Sequence, residues 1–462
     1  MADEQKNRFR AGDWLRCVGL PVLLFAVAGT ATSQGLFPTR LTLEQAVEKA
    51  IENNPQTKLS DSRARTASLK IEEARTGALP VVQFSQSVTR SNDPVFIFSS
   101  LLQQGRFTPA NFALNSLNDP SGMVNFRSAV TAQMPLFDQR QTRARIDQAE
   151  LGRQRTDLEA ESVRQRLRFE VVRGFYGAIL AKEMVNVAVD AVRSADANSK
   201  KAKDMVDVGM TTDADYLAAL VERANAGQQK IQAESAYIMT LAELNLTLGE
   251  RPDLEREFLG DLQERYFPIA DQAMLIRTAL ESRPDYLATD LAIKSSRRDT
   301  QAIRDTKLPR VNAFGSFNYN SPYIANGSSD YTLGVSVSYT LFDAGRRYRI
   351  EQAVEQETSA ETEKQVLANE ITGEVVRAFQ NYKTARAKIE VSIRSIAQAE
   401  EALQIVQDRY KSGLSTFDRL VASEVTLVKA KHNLLTARYE LLVGYASVLL
   451  ATGQLRDVRV FD

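Results

Sequence analysis

One cysteine, one histidine and no net charge already narrow what this 462-residue chain can do. Its 58 basic side chains are matched by 58 acidic ones, so no overall field draws it to nucleic acid. Cys17 is the only cysteine and falls in the stretch that reads as a cleaved signal, so the mature chain is expected to hold no thiol for disulfides or thiolate metal sites. His432 lies in an amphipathic helical stretch between Lys431 and Asn433 and reads as a surface residue. No glycine-rich phosphate loop, nucleophile elbow or metal cluster accompanies it, so nothing points to an enzyme, a cofactor or a metal. Beyond residue 34 no 18 residues run uninterruptedly apolar, so any place in a bilayer has to be taken by strands and not by a helix. Proline is absent between Pro135 and Pro252 and again after Pro322, which leaves two long stretches free to be helical.

The N-terminus reads as a secretory signal over residues 1–34. Lys6, Arg8, Arg10 and Arg16 give a basic start, and Val18 to Gly29 is apolar. The apolar run falls short of the ~20 residues a spanning helix needs. Small residues Ala28, Thr30, Ala31 and Ser33 follow, where a signal peptidase would cut. An acylated cysteine would stand after the apolar run, whereas Cys17 precedes it, so no lipid anchor is expected.

The remainder is written twice. Residues 35–250 form a first repeat and 271–455 a second, joined by a linker over 251–270 and followed by a tail over 456–462. Leu136-Phe137-Asp138 matches Leu341-Phe342-Asp343, Val171-Val172-Arg173 matches Val375-Val376-Arg377, and Gly209 matches Gly413. In the first repeat Thr42, with Gln45 three residues on, caps a short helix, and Pro55 opens a second. Alternating patterns predict strands over about 81–91 and 123–137, then a long helix over 138–208 and a return helix over 212–248. Residues 91–122 between the strands read as a long loop dotted with Phe96, Phe98, Phe107 and Phe112. In the second repeat the strands fall at 310–320 and 330–342, the long helix at 343–412 and the return helix at 416–452. Both long helices carry heptad seams rich in small residues, such as Leu167, Val171, Ala178, Ala188 and Ala195 in the first and Ile371, Val375, Ala378, Ala385 and Ile389 in the second. At 1.5 Å per residue, seventy residues make a rod of roughly 100 Å, too long for a globular domain.

Four strands, each with one apolar and one polar face, cannot stand alone, because open edges aggregate and backbone groups in lipid must all be paired. Strands of this length suit a transmembrane barrel, which needs at least about eight of them. Other copies of the chain therefore have to contribute. Two copies give a plugged tube, and three give twelve strands with room for a lumen. The polar faces would line water and the apolar faces would meet lipid, and each rod would continue the barrel as a sleeve of helices. A small soluble sandwich is the bland alternative for the hairpins. A trimeric coiled-coil surface protein, structural or adhesive and without a pore, is the rival from another class.

The signal, the doubled strand–hairpin–rod plan, Leu79-Pro80 and Leu308-Pro309 before the odd-numbered strands, and Leu-Phe-Asp at each rod start together resemble the outer membrane efflux protein (TolC) family over roughly residues 40–455. The resemblance implies a mostly helical α+β fold, internally duplicated. Its long helical hairpins form a trimeric α-barrel, and four strands per chain join a shared 12-stranded transmembrane β-barrel. It implies a homotrimer in the Gram-negative outer membrane, reaching through the periplasm as the exit duct of a drug efflux or type I secretion system. Its partners would be a periplasmic adaptor, an inner-membrane transporter of the RND or ABC type and outer membrane lipid. By the same resemblance Val208, Gly209 and Met210, with Ser412, Gly413 and Leu414, are the tips that meet the adaptor. Asp215 and Tyr410 belong to a periplasmic gate. The pattern departs at Ser415, where the family has an arginine, and at Arg419, where it has an acid. Asp418 stands one residue out of register, and Asp215 and Arg419 are expected to be able to pair across the hairpins.

Overall fold

A computed structural model describes residues 39–461 apart from 264 and 266. The signal-peptide reading of 1–34 lies outside the described residues, as does the end of the tail at residue 462.

The order of elements is β1 (Thr39–Leu41), α1 (Leu43–Asn53), α2 (Pro55–Thr76), β2 (Val81–Ser91), α3 (Pro94–Gln103), α4 (Leu114–Asn118), β3 (Met123–Phe137), α5 (Gln141–Asp207) and α6 (Asp213–Thr247), then β4 (Arg256–Phe258), α7 (Gln272–Ser282), α8 (Pro284–Asp305), β5 (Arg310–Ser321), β6 (Ser328–Ser338), α9 (Gly345–Lys411) and α10 (Phe417–Ala451). The duplication holds helix lengths to the residue. α1 and α7 have 11 residues each, α2 and α8 have 22, α5 and α9 have 67, and α6 and α10 have 35.

Local chemistry sets these boundaries. Thr42 and Gln45 form the reciprocal capping box that opens α1. Pro55 and Pro284 occupy the first turns of α2 and α8, where a missing N–H costs nothing. At the two strand-to-rod junctions the aspartates of the Leu-Phe-Asp pairs accept from the incoming helix. Asp138 accepts from the Thr142 N–H at 2.6 Å, and Asp343 from the Gly345 N–H at 3.0 Å.

β2, β3, β5 and β6 form one antiparallel sheet in that order, with β3 and β5 joining the two repeats at its centre. The register aligns the apolar parities. Phe84 faces Val130, Val130 faces Phe317, and Phe317 faces Tyr331. One row further, Val82, Ala132, Gly315 and Leu333 line up. On the other face Gln83, Thr131, Ser316 and Thr332 make the corresponding polar row. Val82, Phe84, Phe317, Tyr331 and Leu333 are all exposed in the single chain, and β2 and β6 each have one unpaired edge among the described residues.

Two expectations about this region are corrected. β6 ends at Ser338 and not at 342. Its neighbour β5 begins at Arg310, which pairs with Ser338, so the chain beyond has no pairing partner among the described residues. The long loop after β2 is not irregular. It holds α3, a 3₁₀ turn over Pro109–Phe112, and α4. Asp93 caps α3 by accepting from the Phe96 N–H at 2.7 Å, and Pro94 takes the first helical position. Phe107 then sits edge-on between Phe98 and Phe112, at 4.9 and 5.1 Å between ring centroids.

The rods pack as the seams require. Leu167, Val171, Ala178, Ala188, Ala195 and Ala202 of α5 are buried, as are Ile371, Val375, Ala378, Tyr382, Ala385 and Ile389 of α9. α5 pairs with α6 and α9 with α10, while α1, α2, α7 and α8 lie against the rods nearer the sheet. α10 carries an 18-residue window apolar enough by length and composition to cross a membrane. It packs instead along α9 and α5, with Leu441, Leu442, Ala446 and Val448 buried there.

Candidate functional site

The far ends of the rods are built on the same turn twice. Gly209 and Gly413 adopt φ of +71° and +70°, a backbone that only glycine enters without strain. Around each, the N–H three residues past the helix reaches back five residues: Met210 donates to the Met205 carbonyl and Leu414 to the Arg409 carbonyl, both at 2.8 Å. The turns expose Val208, Met210 and Leu414, and Ser412 stands beside them, also exposed. An added Cβ at either glycine would meet nothing within 4 Å, so the glycines serve the turn and not a close contact.

Behind the tips a small separate core joins the two hairpins. Ala202 and Met205 of α5, Ala219 of α6, Tyr410 of α9, and Phe417 and Leu420 of α10 are buried together. The Tyr410 and Phe417 rings lie 6.1 Å apart. The ammonium of Lys201 stands 5.7 Å from the Tyr410 ring centroid, within cation–π range. Burial, and after it the charge of Lys411, lowers the Lys201 pKa.

Asp215 closes the start of α6. Its carboxylate accepts from the Thr211 hydroxyl at 2.5 Å and from the Thr212 hydroxyl at 3.2 Å, and its N–H donates to the Thr212 hydroxyl at 3.3 Å. The Thr211 bond is the largest influence on its pKa; with Thr212 it outweighs burial and holds the carboxyl below the usual range. Tyr410 is 3% exposed, and among the described residues its hydroxyl has no hydrogen-bond partner. Burial first, and the nearby charge of Asp215 second, push its phenol upward. Arg419 is exposed and, among the described residues, forms no ion pair. The expected pairing of Asp215 with Arg419 is therefore not made within one chain, because the carboxylate is turned back into its own capping box.

Sequence reasoning missed a second feature of the rods. A cavity of about 500 Å³ opens between the hairpins, lined by Glu222, Glu424 and His432 among others. Glu424 accepts from the Asn198 amide at 2.8 and 2.9 Å. Burial raises its pKa, Asn198 opposes the rise and Glu222 adds to it. His432 is half-buried here, not a surface residue, and desolvation lowers its pKa. The helical pattern gave its face only approximately, and the groove between two hairpins has no signal in one helix.

Comparison with known proteins falls on the same architecture. The family model for outer membrane efflux proteins matches residues 46–250 and 275–454. The outer membrane efflux protein BepC of Brucella suis is 23% identical over 414 residues, covering 87% of this chain and 84% of that protein. The alkaline protease secretion protein AprF of Pseudomonas aeruginosa is 23% identical over 350 residues, covering 72% and 70%. The crystal structure of the Campylobacter jejuni CmeC outer membrane channel superposes with a TM-score of 0.75 at 17% identity, over 89% of this chain and 85% of that one.

Proposed function

Because the chain belongs to the outer membrane efflux protein family, whose members are transport channels of the outer membrane and not enzymes, we propose that three copies assemble into a passive exit duct fed by a periplasmic adaptor and an inner-membrane transporter. The sheet carries this reading. Its apolar face is exposed, its two edge strands each leave one edge open among the described residues, and it runs directly into two 67-residue rods. Three such sheets joined edge to edge supply twelve strands, enough for a barrel with a lumen, with the apolar rows toward lipid and the polar rows toward water. The rods continue it across the periplasm as a helical sleeve. Family membership displaces the pore-free adhesive alternative.

The tips close the sleeve. Around Gly209 and Gly413, Val208 and Met210 of one hairpin and Leu414 of the other, beside Ser412, present exposed apolar side chains on stiff turns, suited to an adaptor's grooves. Asp215, Tyr410 and Arg419 stand behind them as the gate, with Arg419 available to a carboxylate of a neighbouring copy. Opening is a loosening of the two hairpins about the Tyr410–Phe417 core, biased by adaptor contact. BepC is named for efflux and AprF for protease secretion. A duct with no dedicated site serves either task, and the transporter chooses the cargo.

Purified protein reconstituted in planar bilayers tests this. Trimers giving discrete ion-conducting steps are expected, and intact trimers that never conduct would overturn the duct.

A further inference from the structure

We infer that the outer mouth of the channel carries its own constriction, formed by α3 folded back over the water-facing side of the sheet and latched there by Gln104. What that side faces rests on the duct reading; where α3 sits does not.

The two faces of the sheet differ sharply at its loop end. On the apolar face Tyr331 is 77% exposed, while on the polar face Asn125, Ala129, Asn318 and Asn320 are buried, Asn320 to 1%. What covers them is the segment between β2 and β3. α3 leaves its own hairpin and packs across β5 and β6, with Ile97, Ser100 and Gln104 buried. The Gln104 amide donates to the Asn125 side-chain oxygen at 2.9 Å and to the Val124 carbonyl at 3.2 Å. Asn125 donates to Asn320 at 3.0 Å, and Asn320 donates to Asp330 at 3.3 Å. Asp330 also takes the Asn318 amide at 2.7 Å, and Asn318 accepts from Arg127 at 2.9 Å. One connected set of hydrogen bonds thus runs from the loop helix through β3, β5 and β6. Gly105 follows in a left-handed turn, with its Cβ position 3.4 Å from the Ser328 side chain, so the loop lies close on β6.

Dimensions decide what this does. Twelve strands at ~4.8 Å spacing and ~40° tilt enclose a circle of about 24 Å between backbones. Three helices of ~10 Å diameter side by side need a circle of about 22 Å. Three copies of α3 therefore fill the mouth. Each has to swing away for a bulky cargo to leave, and at rest each keeps large external solutes out. The β5–β6 connection, at residues 322–327, is too short to do the same.

The test is thiol access from outside intact cells, which does not pass through the periplasmic tips. Ser336 is exposed on the polar face, inward of Asp330. In a Cys17→Ser background, Ser336→Cys should react with a small maleimide but not with a bulky polymer-bearing one. Replacing residues 94–118 by a short glycine–serine linker should admit the bulky reagent, and Gln104→Ala should admit it more slowly. Equal reaction with the bulky reagent with α3 present or absent, or exclusion in both, would overturn the constriction while leaving the duct intact. Failure of even the small reagent in both forms would instead sink the water-filled barrel itself.

Discussion

Asp215 acts on Tyr410 through its charge and not through a hydrogen bond: the carboxylate is held by Thr211 and Thr212, while the buried phenol has no hydrogen-bond partner among the described residues. An unsatisfied buried hydroxyl costs free energy that the ring's packing has to exceed. Tyr410→Phe should therefore leave the thermal midpoint unchanged or slightly raised. Tyr410→Ala should destabilise the tip by ~3–5 kcal/mol, the usual loss for a buried large aromatic. Denaturation of the two variants followed side by side separates packing from hydrogen bonding, and a marked loss in Tyr410→Phe would show a bond formed only in the assembly.

Removing the carboxylate should loosen the gate itself. Asp215→Ala removes the carboxylate half of the capping box at the start of α6, leaving the Thr212 hydroxyl on the residue 215 N–H, and frees the hairpin turn beside the Tyr410 core. Single-channel recording should show conductance raised several-fold over the parent. Unchanged conductance would remove Asp215 from the gate.

At the tips, apolar side chains left exposed on the turns predict a role seen only with a partner. Leu414→Asp should abolish export in cells while trimers remain intact on a native gel, since the side chain is exposed in the chain. Normal export would clear the second tip of any docking role.

Glu424 gives the rods a pH dependence whose sign follows from its raised pKa. A carboxyl that holds its proton more tightly when folded contributes stability that is full below its unfolded value of ~4.3 and is lost as pH rises through the folded value. Acidifying from neutrality should thus tighten the hairpin contact. Glu424→Gln keeps an acceptor for Asn198 and removes the charge, so it should raise the unfolding midpoint at pH 7 and flatten its rise toward pH 5. A variant that tracks the parent across that range would exclude Glu424 as the source.

Much of this was legible because it is periodic. The alternation in Tyr331, Leu333, Val335 and Val337 and the seam from Ile371 to Tyr410 state their faces in one dimension, and the Gly209 and Gly413 turns follow from a single residue type. Contacts between distant segments were not legible. Asp93-Pro94 ahead of an apolar run is a helix start that the aromatic, asparagine-rich surroundings obscured, and no local pattern tells that α3 crosses to β5 and β6. The same holds for Glu424, whose burial depends on α5 and α6 lying beside α10. Arg419 shows the limit from the other side: its type and position suggested a partner in Asp215, but the capping threonines lie closer.

The claim on which the account turns is that one chain holds only a third of a barrel. The native mass of the particle extracted from outer membranes in mild detergent tests it most directly. Three chains per particle are predicted, with no monomer stable in detergent-free buffer. A water-soluble single chain, folded with the apolar face of its sheet exposed as here, would contradict it.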